Sequence, residues 1–126
     1  MSGKAAAQVR HHALLDLNEK VQRLHGLVEQ YAGARHDPDG HLPPIGRTFA
    51  RLKTIFLGAG FDNLSQICGA MEIAARRGHS RTMKVRILRD AVGSIRMQID
   101  VEMRSLLAEM KAQEEKEKEE RQQDQR

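Results

Sequence analysis

Six apolar residues recur at three- and four-residue steps near the start of this chain: Leu14, Leu17, Val21, Leu24, Val28 and Tyr31. That spacing lines one side of an α-helix and does not match a strand, whose side chains repeat every second residue. It predicts a first helix over about residues 12–32, stopped by Gly33. All three prolines (Pro38, Pro43, Pro44) lie in one short region, so the remaining chain carries no strong helix breaker. Aromatic residues make up 3% of the sequence and Trp is absent, so aliphatic side chains must fill the interior. That favours helix against helix over a sheet.

Residues 33–46, GARHDPDGHLPPIG, read as a long loop. A second helix is expected from about Arg47 to Ala59, burying Phe49, Leu52, Phe56 and Ala59, with Ile55 flanking. A third follows Gly60-Phe61, with Asp62 as N-cap and Leu64, Ile67, Cys68, Met71 and Ala75 inward, up to Gly78. Ser80 is placed to cap a fourth helix. Its inward stripe runs Met83, Ile87, Ala91, Ile95, Ile99 and Leu106, widened by Leu88, Val92, Met103 and Met110. From Ala112 onward apolar residues vanish, and AQEEKEKEERQQDQR has no face to bury. The expected organisation is a flexible lead over 1–12, one bundle over 13–111 and a charged tail over 112–126. The fold class is all-α: an up-and-down antiparallel four-helix bundle with a polar C-terminal helical extension.

Composition excludes several functional classes. At 126 residues with 30% charged side chains, the chain suits a single soluble domain. One cysteine, Cys68, rules out an intramolecular disulfide, and its helical phase predicts a buried, inert thiol. No apolar run is long enough for a membrane span, and the N-terminus lacks the apolar core of a signal peptide, so a cytoplasmic location is expected. His36, Asp37, Asp39 and His41 are ligand-type residues without metal-motif spacing, so no metal or other cofactor is expected. The remaining histidines, His11, His12, His25 and His79, read as solvated side chains.

The segment FARLKTIFLGAGFDNL, residues 49–64, resembles the active helix of a histidine phosphotransfer domain, most closely the modules at the front of chemotaxis-type kinases. Such helices carry His, two residues, then Lys-Gly, and a closing Gly six residues further on. With Gly60 on the closing glycine, Leu52-Lys53 falls on the Leu-Lys pair, the phospho-accepting position is Ala50, and Thr54 replaces the glycine after the lysine. Gly60-Phe61, Leu64, Ile67 and Met71-Glu72 continue the likeness, which covers roughly residues 14–110.

The chemistry of that family needs a neutral, exposed imidazole as nucleophile, with a lysine one turn later to stabilise phosphoryl oxygens. Ala50 has no lone pair, so the resemblance implies a degenerate, non-catalytic module. It would bind a response-regulator receiver or a histidine kinase through Arg47, Ala50, Lys53, Thr54 and Leu57. The alternative rests on charge. Arg76, Arg77, Arg81, Lys84, Arg86 and Arg89 form a run with no acid among them. A basic patch built on Arg76, Arg77, Arg81 and Lys84 would suit a nucleic acid. A purely structural bundle is the third reading.

Overall fold

A computed structural model describes residues 3–124 of the chain. Four α-helices make up most of it: α1 (Gly3–Gly33), α2 (Leu42–Gly58), α3 (Asp62–Arg76) and α4 (Arg81–Asp124), with a short 3-10 helix, Pro38–His41, before α2. No strand occurs among the described residues. The all-α class therefore holds. Contacts divide the chain into two compact units, one of Glu19–Arg96 and one of Met1–Asn18 with Met97–Arg126. The expectation of one bundle over 13–111 does not anticipate this division.

All six stripe residues of α1 are buried, with Val21, Leu24 and Val28 fully inaccessible. The helix begins much earlier than its Leu and Val stripe. Ala5, Ala6 and Ala7 are the strongest helix formers available, and Ala7 is itself buried, so most of the expected flexible lead is helical. Met1 and Ser2 of that lead, and Gln125 and Arg126 of the tail, lie outside the described residues. The polar tail continues α4 as far as Asp124. Its Glu, Gln, Lys and Arg residues favour helix intrinsically.

The long loop expected over 33–46 is also shorter in the structure. Pro43 and Pro44 sit in the first turn of α2, where a missing backbone N–H costs nothing because no intrahelical acceptor exists for it. That earlier start adds Leu42, Ile45 and Gly46 to the buried residues of α2, beside Phe49, Leu52 and Phe56. The far end of α2 is a Schellman stop. Phe61 N–H donates to the Phe56 carbonyl at 2.8 Å and Gly60 N–H to the Leu57 carbonyl at 3.2 Å. Gly60 adopts φ 84°, the left-handed conformation that this motif requires. The Phe56 and Phe61 rings meet edge to face at 6.3 Å, completing it. Ala59, expected inward, is the exposed C-cap residue instead.

Two further expectations are corrected. Asp62 is the first residue of α3 and makes no side-chain cap; Phe61 holds the N-cap position. At the start of α4 the phase is rotated, so that Met83 is exposed and Lys84 is buried. The Ser80 cap is present, with Met83 N–H donating to the Ser80 hydroxyl at 3.2 Å. Farther along, Leu88, Ala91, Val92, Ile95, Ile99 and Leu106 are buried.

Candidate docking face on α2

With Ile45, Phe49, Leu52 and Phe56 turned into the core, the helical repeat carries residues 47, 50, 53, 54 and 57 to the opposite side of α2. The five residues singled out in the sequence therefore share one strip. Arg47, Lys53, Thr54 and Leu57 are exposed and Ala50 is half-buried. Leu57 is 59% exposed, too much for a side chain that serves the core.

Neighbouring groups fix this strip. The Lys53 stem lies along Gly69 of α3: a Cβ there would stand 3.6 Å from both Lys53 Cδ and Cε. The missing side chain at Gly69 thus makes a shallow seat for the lysine. Ser65 is buried, and its hydroxyl donates to the Lys53 carbonyl at 3.0 Å, tying the start of α3 to the same turn of α2. The Thr54 hydroxyl turns back to the Ala50 carbonyl at 3.4 Å. Its bond is spent within the helix.

The strip offers apolar contact and positive charge but no histidine. Ala50 is aliphatic, and neither α2 nor α3 contains a histidine. Cys68, on α3, is fully inaccessible, and burial pushes its thiol up to about 12, so it stays protonated near neutral pH. His25 is half-exposed and 3.9 Å from Glu29. The rings of His11 and His12 lie 6.2 Å apart on α1. His79 is exposed between α3 and α4, His36 precedes the 3-10 helix, and His41 is its last residue. Among the described residues no three His, Cys, Asp or Glu side chains come together as a metal site. Among the described residues no helix is long and apolar enough to cross a membrane.

The basic run has a different fate from the α2 strip. Arg81 donates to the Tyr31 and Ala32 carbonyls at 2.9 and 2.8 Å, and its guanidinium lies 5.8 Å from the centre of the Tyr31 ring. Lys84 Nζ is 3.5 Å from the Ala75 carbonyl. Both cations thus serve carbonyls at helix C-termini, where the unpaired acceptors and the helix dipole favour positive charge. Arg76 pairs with Glu72 at 3.1 Å. Arg89 grips Glu29 through two bonds of 2.8 and 2.7 Å. That hydrogen bond holds the Glu29 carboxyl below its usual value, and in turn raises Arg89. Only Arg77 of the four proposed patch residues makes no side-chain bond among the described residues. A cation run reads the same in sequence whether it caps helices or faces solvent, so this division of labour was not visible there.

Comparison with protein-family models, with curated proteins and with solved structures returns no match.

Proposed function

We propose that this protein is a non-catalytic signalling adaptor, similar to a histidine phosphotransfer module, that binds a receiver domain or a histidine kinase through the outer strip of α2. One observation carries the reading. Arg47, Lys53, Thr54 and the exposed Leu57 surround Ala50 on a single helix face. An exposed leucine ringed by cations suits a partner that offers an apolar helix beside an acidic pocket. The adaptor needs no cofactor, and a cytoplasmic setting goes with such partners.

Ala50 at the nucleophile position means that the adaptor carries no phosphoryl group of its own. Incubation with a phosphorylated kinase and with phosphorylated receivers tests this. Binding without transfer of label is expected, and it should be lost in Leu57→Glu and Lys53→Glu variants with unchanged thermal melts. Acid-labile phosphate on this chain would overturn the inert reading, and failure to bind any receiver or kinase would overturn the adaptor role. The nucleic-acid alternative is weakened because Arg81 and Lys84 are engaged at helix ends.

A further inference from the structure

Between α1 and α2 runs a groove of about 480 Å³. Its floor is apolar, formed by Leu27 of α1 with Leu52 and Ile55 of α2. Gly26 of α1 opens into the same space. A glycine inside a helix costs about 1 kcal/mol relative to alanine, so its presence calls for a reason. No packing contact among the described residues supplies one: a Cβ built at Gly26, as at Gly93 of α4, would meet no atom within 4 Å. Gly69, by contrast, is covered by Lys53, and Gly46 lies against Ala75. The bare backbone at Gly26 leaves this stretch of the groove wall without a side chain.

The rim of the groove is cationic. Lys20 and Arg23 stand on the α1 side and Arg51 on the α2 side, and no carboxylate among the described residues lines the space. The anion nearest in sequence, Glu19, meets Arg23 at 3.6 Å with both side chains mostly exposed. Such an i,i+4 surface pair is weak, and a better-placed anion displaces it.

We propose that the α1–α2 groove docks an acidic amphipathic helix of a partner protein, with apolar residues seated over Gly26 and carboxylates meeting Arg23 and Arg51. A helix fits because the two walls are themselves helices whose side-chain ridges form a trough, the geometry in which i, i+3 and i+4 anchors are received. The described residues offer no strand edge to which an extended peptide could add. This surface uses Arg51 and Ile55, on a different side of α2 from Ala50 and Leu57, and it does not depend on the phosphotransfer-like reading.

Fluorescence anisotropy with a labelled model helix tests the proposal. The probe is a peptide of about four turns with Leu at i, i+3, i+4 and i+7 and Glu at the flanking positions. Its controls are a scrambled peptide of the same composition and a counterpart carrying Lys for Glu. Saturable binding of the acidic helix is expected, at least tenfold tighter than either control and weakened by salt. Gly26→Leu, which fills the groove with a better helix former, should abolish binding while the melting temperature stays level or rises. Arg51→Glu, an exposed change, should weaken binding about tenfold. No saturable binding, equal binding of the scrambled peptide, or full binding by Gly26→Leu would each overturn the proposal. So would displacement of the probe by anionic phospholipid vesicles but not by unlabelled acidic helix, which would make the groove a lipid site.

Discussion

The two units of this protein draw on the same long helices and reach different results. In Glu19–Arg96, parts of α1 and α4 join α2 and α3, and bulky side chains such as Tyr31, Phe49 and Phe56 disappear from solvent. In the unit of Met1–Asn18 and Met97–Arg126, α1 and α4 contribute two helical segments. The buried apolar residues described there are Ala7, Leu14, Leu17, Ile99 and Leu106. The same smaller unit exposes Val9, Leu15, Met97, Val101 and Leu107. An ion pair of 2.9 Å between Arg10 and Glu109 joins its helices at the surface, where such pairs add little. The lesson is geometric. A helix in a pair buries one narrow stripe, whereas a helix with two neighbours buries a wide face and can hold aromatic rings.

The sharpest way to break this comparison is to cut equivalent holes in both units. Phe49→Ala should cost about 3–5 kcal/mol in urea unfolding, because the site is enclosed. Leu106→Ala should cost nearer 2 kcal/mol, since a two-helix seam can close or admit water. Equal losses would mean that the smaller unit is as tightly enclosed as the larger.

Next in size are two changes at helix ends of the larger unit. Gly60→Ala forces a side chain into the left-handed conformation of the α2 stop and should cost about 1–2 kcal/mol. Ser80→Ala removes the acceptor for Met83 N–H and should cost about 1 kcal/mol. Both are read from denaturation midpoints at unchanged slope.

The smallest effect at neutral pH comes from Cys68, a thiol that reports on the larger unit alone. Burial raises it from an ordinary value of 9.0 to about 12. Above pH 9 the unfolded chain releases a proton that the native chain keeps. Stability is thus full below that pH and falls as pH rises towards 12. Tyr31, also raised by burial, contributes in the same direction at higher pH. Cys68→Ala should flatten the decline between pH 9 and 10, measured by urea midpoints, and alkylation of the native thiol at pH 8 should be slow. Rapid native alkylation would show that the larger unit opens as readily as the smaller.

Legibility in the sequence did not follow this division of units. The six-residue stripe of α1 was readable because its period is set by the helix itself. Cys68 was placed inward by the same reasoning. The starts of α1 and α2 were not readable from apolar spacing: Ala5–Ala7 form helix without a bulky stripe, and Pro43-Pro44 look like loop although a first turn accepts them. The exchange of Met83 and Lys84 at the start of α4 depends on the Ala75 carbonyl of another helix, which local periodicity does not contain. In the candidate site, the shared strip of Arg47, Ala50, Lys53, Thr54 and Leu57 followed from phase. The seat of Lys53 on Gly69 and the groove over Gly26 did not, because each joins residues from two helices. The Gly60-Phe61 pair, part of the phosphotransfer resemblance, is fully explained by helix termination and so adds less to that resemblance than its sequence suggests.

Arg81 and Lys84 reach from the first turn of α4 to the last carbonyls of α1 and of α3. Three helix ends, one of them far in sequence from the other two, are thus fastened by two side chains set three residues apart. Helix ends ordinarily fray one by one. Here the loss of the first turn of α4 would free the other two, so their terminal amides should exchange with solvent deuterium as one cooperative group.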